Sequence, residues 1–336
     1  MRILFFKLFF LTSSALLWAQ DPVFTQFLLV PETLNPAVTG SASTWNAGII
    51  HRRQWPEGNR KIDTQYGFVN NLLNDNLGLG LTILNQNEVF TNYNYLQVNG
   101  VISYSTELNY DWRIRFGLEG GYGRKDFNFN NLLLEDQIDI NTGGIASNTV
   151  DPNIMLNKNK IQFFDLNAGI MLDQENCWIG ATLKHLTRPD ISFNENGNTP
   201  LDLFLSAHGG YYFTLNNSPR MLLPQDSDLL IAFNYMRQSK YNRLDISASL
   251  DMKQFGFGIT AATNPERNSS SGHLLTSLNP FAVFKTEEFI FGYSYDINTS
   301  KFGHNQGIHE LTITWQSSRT CRDCDNYRLK LKRIIW

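Results

Sequence analysis

The sequence is dominated by one pattern. Apolar and polar residues alternate over runs of about ten residues, and each run ends at Asn, Asp or Gly. A period of two sends successive side chains to opposite faces of an extended strand, so each run has one greasy wall and one wet wall. From Asp111 to Glu119, Trp112, Ile114, Phe116 and Leu118 share one face, and Arg113, Arg115, Gly117 and Glu119 share the other. From Glu288 to Ile297, Phe289, Phe291, Tyr293, Tyr295 and Ile297 oppose Gly292, Ser294 and Asp296. From Gln162 to Leu172, Phe164, Leu166, Ala168, Ile170 and Leu172 oppose Asp165, Asn167 and Gly169. Soluble β-sandwiches and propellers also alternate, but with strands nearer 5–6 residues, whereas crossing a bilayer takes about 9–11 tilted residues. The run length therefore points to an all-β transmembrane antiparallel up-and-down β-barrel.

About fourteen strands can be placed, near 44–55, 62–72, 76–86, 93–106, 111–124, 161–172, 176–186, 202–215, 228–237, 243–251, 255–262, 274–285, 287–297 and 307–316. An even count suits a bacterial single-chain barrel. Short connections such as Asn74-Asp75, Leu108-Asn109-Tyr110 and Met252-Lys253-Gln254 alternate with longer links at 56–61, 87–92, 125–160, 187–201, 238–242, 263–273 and 298–306. Only 216–227 breaks the alternation, as an expected long periplasmic excursion. With a periplasmic N-terminus the longer links face outside. Charged residues are 18% of the chain, below the roughly 25% usual in soluble domains, and aromatics are 13%. Beyond the N-terminus no apolar run approaches the ~18 residues of a spanning helix, which excludes a polytopic helical membrane protein. The net charge of −3 gives no global attraction to nucleic acid.

Residues 1–20 read as a secretory signal, with Arg2 and Lys7, an apolar stretch from Leu8 to Trp18 and small Ala19 at the expected cleavage site. Residues 21–43 form a Pro-punctuated lead-in, a candidate plug, followed by the barrel at 44–316 and a basic tail at 317–336 expected in the periplasm. Tyr327 to Trp336 is a rival final strand, since it alternates and ends in an aromatic. Cys321-Arg322-Asp323-Cys324 is a lone CxxC, for which a local disulfide is the preferred reading over a metal or redox site.

Several stretches resemble one family. Asp21-Pro22-Val23-Phe24-Thr25-Gln26-Phe27, Pro31 and Leu34-Asn35-Pro36-Ala37 with Gly40 resemble the mature start of PorP/SprF-type membrane proteins of the type IX secretion system. Arg53-Gln54-Trp55 resembles their next landmark, and Gly180 to Pro189, with His185, Arg188 and Pro189, resembles their central segment. Tyr293 to Asn298 and Gly307 to Leu311, with His309 and Glu310, resemble their C-terminal block. The resemblance implies a non-enzymatic outer-membrane accessory component, of the gliding-motility type, that binds a secreted adhesin or another secretion component and supports its export or surface anchoring. The positions it carries over are Asn35, Pro36, Arg53, Gln54, Trp55, His185, Arg188, Pro189, His309 and Glu310, in structural or partner-binding roles. It implies no cofactor. A porin or transport channel is the alternative.

No GxSxG, HExxH or P-loop is present. His51, Arg52 and Arg53 read as contacts to lipid headgroups. Ser206 and His208 share a strand face, but no orienting partner can be located for a barrel hydrolase. Gly117, Gly120, Gly121 and Gly123 lie within a strand, where glycine permits bending or close approach of a lumen plug.

Overall fold

The computed structural model describes residues 21–317 apart from 43, 57–60, 128–134, 139–141, 143, 146–157, 216–223, 225–226, 267–273 and 300–306. The signal segment and the tail, including Cys321, Cys324 and the rival strand 327–336, lie outside the described residues. The alternating runs form fourteen antiparallel strands: β1 (Asn46–Gln54), β2 (Ile62–Leu72), β3 (Leu77–Glu88), β4 (Tyr93–Glu107), β5 (Arg113–Phe127), β6 (Lys160–Asp173), β7 (Cys177–Lys184), β8 (Phe204–Thr214), β9 (Ser227–Gln238), β10 (Tyr241–Met252), β11 (Phe255–Thr263), β12 (Leu275–Lys285), β13 (Phe289–Asn298) and β14 (Ile308–Gln316). Each pairs with its sequence neighbour, and β1 pairs with β14 from Asn46↔Gln316 to Gln54↔Ile308, closing the barrel. Both edges of β1 and of β14 are thus occupied, which leaves no place in the wall for a fifteenth strand. The ladder between β12 and β13 is interrupted at Asn279 and Pro280, where a proline has no N–H to give.

Alternation assigns the faces as the sequence indicates. Phe116, Leu118, Phe289, Phe291 and Tyr293 point outward, while Arg115, Glu119, Ser294 and Asp296 are buried in the lumen. Next to the turns 253–254 and 286–288, the outward rings of Phe255, Phe284, Phe291 and Phe289 pack in a row, with successive centroids 5.3, 6.4 and 6.1 Å apart. This is the place of an interfacial aromatic girdle. Ile259 lies at the centre of β11, whereas Phe255 begins it. Ile259→Arg is therefore expected to destabilise the barrel in lipid vesicles by ~2–4 kcal/mol, and Phe255→Arg by only ~0–1 kcal/mol. Equal losses in urea unfolding would contradict the membrane placement.

Trp45 and Ser317 meet at the short-turn rim, where the Ser317 N–H donates to the Trp45 carbonyl at 2.9 Å. The other rim carries the links 55–61, 128–159, 185–203, 264–274 and 299–307. It also carries a connection shorter than expected. The link read as 238–242 is a two-residue turn, Ser239-Lys240, with Ser239 at φ +52°.

The lead-in fills the lumen. Asp21 lies at the long-link side, against His185 and Gln238, so the expected arrangement, with the N-terminus at the rim opposite the longer links, does not hold. The chain then descends to Gly40, which packs on Asn71 and Gly78 beside the short turn 73–76. Two 3-10 turns, Pro31–Thr33 and Pro36–Val38, compact it on the way, each opened by a proline whose missing N–H has no helical partner to lose. Phe24, Leu29 and Val30 pack on Ile50, Tyr66, Phe68 and Val283. On the opposite wall Phe27, Leu28, Ala37 and Val38 pack on Met171, Trp178, Tyr212 and Leu230.

Candidate functional site

The residues with the most specific partners are those that seat the lead-in, at three stations. At the first, Asn35 is completely buried in an extended conformation before Pro36. Its Oδ1 accepts the Ala37 N–H at 2.9 Å, capping the 3-10 turn. Its Nδ2 lies 3.0 Å from the Ile170 carbonyl, 3.3 Å from the Ala181 carbonyl and 3.1 Å from Nε2 of His208. The wall is cut back to admit this turn. A Cβ at Gly117 would stand 2.2 Å from the Ala37 nitrogen, and one at Gly169 would stand 2.0 Å from Asn35 Oδ1.

At the second station, Glu310 is completely buried in β14. Its carboxylate accepts the backbone N–H groups of Thr25 and Gln26, each at 3.0 Å, and the guanidinium of Arg52 from β1. Arg52 also reaches Asp296 at 3.1 Å. The side chain of Gln26 donates to the Glu310 carbonyl at 2.9 Å and to Ser294 at 3.0 Å.

At the third, His185 follows β7 in a left-handed conformation at φ +63° and is 2% exposed. Its Nδ1 is 2.6 Å from Asp165 and its Nε2 is 2.9 Å from Asp21. Burial disfavours the charged ring, but Asp21 and Asp165 outweigh it and raise the His185 pKa to about 9 from an ordinary 6.5. Burial likewise opposes the Asp21 carboxylate, yet His185, with Lys184 and Lys125 behind it, holds its pKa well below 3.8. The raised histidine stabilises the fold fully below about pH 6.5 and loses its effect as pH climbs through 9. The depressed aspartate contributes above its ordinary pKa and is lost only in strong acid. The stability difference between wild type and His185→Gln is therefore expected to shrink, by an amount on the order of 3 kcal/mol, between pH 6.5 and 9. A difference that stays flat in urea titrations across that range would exclude the ion pair as the anchor.

The family-like positions thus separate. Asn35, Pro36, His185 and Glu310 converge on the lead-in. Arg53 points outward and pairs with Asp63 at 2.8 Å. Gln54 accepts from Arg52 at 3.2 Å, and Trp55 ends the strand at φ +50°. Arg188 is exposed at φ +44°, 3.9 Å from Asp202, and the Pro189 carbonyl accepts from Leu201. His309 faces outward, bonded to the Tyr293 hydroxyl at 2.9 Å. Arg52 is not a headgroup contact: alternation turns it inward between the outward-facing neighbours of β1, and Asp296 and Glu310 receive it. The pairing of Asp21 and Asp165 with His185 is not legible in the sequence, because nothing local signals partners 164 and 20 residues away. Ser206 and His208 both face the lumen and are fully buried, and among the described residues His208 bonds Asn35 rather than a carboxylate.

The family model for the type IX secretion system membrane protein PorP/SprF matches residues 17–315. The chain belongs to this family. It is accordingly an outer-membrane β-barrel component of type IX secretion. The Asn35, His185 and Glu310 stations all lie within the matched span. No curated protein matches the sequence. Among solved structures, a Pseudomonas aeruginosa FadL homologue is similar at 11% identity and TM-score 0.41, covering 84% of this chain and 92% of that one. A mutant of the TodX monoaromatic hydrocarbon channel is similar at 8% identity and TM-score 0.44, covering 83% and 90%. BamA from Haemophilus ducreyi lacking POTRA domains 1–3 is similar at 9% identity and TM-score 0.41, covering 81% and 70%.

Proposed function

We propose that this PorP/SprF barrel is a non-enzymatic accessory component that binds a secreted adhesin, or another type IX component, and supports its export or surface anchoring. The observation that carries this reading is the seated lead-in. A lumen packed from Asp21 to Gly40 and tied by Asn35, His185 and Glu310 is suited to presenting a surface rather than passing solutes. Recognition then falls to the links, chiefly 128–159 and 185–203, or to the short-turn face with 215–226 and the basic tail. Asn-rich links offer many hydrogen-bonding groups, and an unmatched buried one costs about 1–3 kcal/mol, enough to discriminate partners. Deleting the protein is expected to remove one or a few adhesins from the cell surface while general secretion persists, as read by comparative surface proteomics. Loss of every type IX cargo would make it a core translocon part. Unchanged cargo with reduced small-solute uptake would make it a channel.

A further inference from the structure

We propose that the cavity between Glu32 of the lead-in and Glu119 of β5 is a binding site for a hard divalent cation, with calcium as the best-matched species. The cavity encloses about 50 Å³ between the lead-in and the β2–β5 wall, and Tyr66, Gln97 and Asn99 line it together with the two glutamates. That volume exceeds the ~10–15 Å³ a cavity needs to hold one water, so an ion with a water or two can be housed.

Both carboxylates are more than nine-tenths buried. Oε1 of Glu32 accepts from Asn70 at 2.8 Å and from Asn46 at 3.3 Å, while its buried Oε2 has no hydrogen-bond partner among the described residues. Oε1 of Glu119 accepts the Thr82 hydroxyl at 3.1 Å and the Asn99 amide. The two anchoring groups are close in the sheet: Asn70 pairs with Gly80, two residues along β3 from Thr82.

Among the described residues, no Lys, Arg or His forms an ion pair with either glutamate. The basic residues that share the cavity are committed elsewhere, Lys184 to the Thr33 carbonyl at 3.0 Å and His185 to Asp21 and Asp165. A buried carboxylate oxygen without a partner is costly, and a cation facing it removes that cost.

The surrounding donors are carboxylate, amide and hydroxyl oxygens, with no thiol or free imidazole. That set selects calcium or magnesium over zinc or copper. An irregular set including amide oxygens suits calcium, which takes 6–8 oxygens flexibly, better than magnesium, which demands a near-ideal octahedron. Bound there, the ion would tie the lead-in to the wall at a fourth point, independent of the three stations above.

The test uses the full-length protein in detergent, with calcium chloride against EDTA as the probe. Calcium about a hundredfold above its Kd is expected to raise the thermal midpoint by ~5 °C. Glu32→Gln and Glu119→Gln should each abolish that rise and reduce calorimetric calcium stoichiometry by one site per chain. Gly100→Ala, on the outer face with open space around it, should retain both. If one glutamine variant fails to fold, the other decides. A wild-type midpoint indifferent to calcium would overturn the proposal, and so would a rise that survives in the glutamine variants. Stabilisation by Glu32→Gln without any calcium response would assign the site to a proton instead.

Discussion

Glu310→Ala is expected to destabilise the barrel by about 3–5 kcal/mol, the range for breaking a buried ion pair by removing one partner. Three dependants lose their acceptor together. Arg52 keeps only Asp296, at 3.1 Å, to balance a guanidinium that is 5% exposed. The Thr25 and Gln26 N–H groups, each 3.0 Å from the carboxylate, are left buried and unbonded, at about 1–3 kcal/mol apiece before relaxation. Glu310→Gln should fall between, since an amide oxygen still accepts an N–H but no longer neutralises Arg52. The Arg52→Ala, Glu310→Ala double variant should be less destabilised than the sum of the two singles, because the charge left stranded by one change is removed by the other. Urea unfolding measures the energies, and hydrogen exchange at Thr25 and Gln26 reports whether the lead-in has left its seat. A Glu310→Ala barrel within about 0.5 kcal/mol of wild type, the scale of an ordinary surface change, would show that this station does not hold the lead-in.

How much of this was legible in the sequence depends on the range of the interaction. The wall follows from period-two alternation, a local signal, and β5 and β13 present the faces read from their residues. The turn at Ser239-Lys240 was overestimated because Tyr241 and Asn242 continue β10, and a strand end of mixed polarity looks like a link. The seat of the lead-in was only half legible. Asn35-Pro36 announces a capped turn and Gly117 a close approach, yet neither indicates the other, because their meeting is set by how fourteen strands close around residues far away in sequence. Arg52 shows the same limit within three residues. The cluster His51-Arg52-Arg53 looks like one basic patch, but the pleat divides it, sending Arg52 to the lumen and Arg53 to the outer face.

Because the seat depends on such close approach, one methyl-bearing side chain should unseat the lead-in. At Gly117 a Cβ would stand 2.2 Å from the Ala37 nitrogen and 2.3 Å from the Pro36 carbonyl carbon, both backbone atoms that cannot swing aside. Gly117→Val must move the strand or expel the turn. Overpacking of this kind costs ~1–3 kcal/mol, and every 1.4 kcal/mol shifts the seated-to-unseated ratio tenfold, so the unseated fraction should rise on the order of a hundredfold. The consequence is electrical. A fourteen-stranded wall encloses more space than an eight-stranded one, whose side chains suffice to fill it, so an empty lumen conducts. In planar bilayers wild type and Gly100→Ala should be nearly silent, Gly117→Val should open frequently, and a chain lacking residues 21–40 should hold a steady conductance. A steady large conductance from wild type would mean that the lead-in leaves a passage beside it, and the channel reading would displace that of an accessory component.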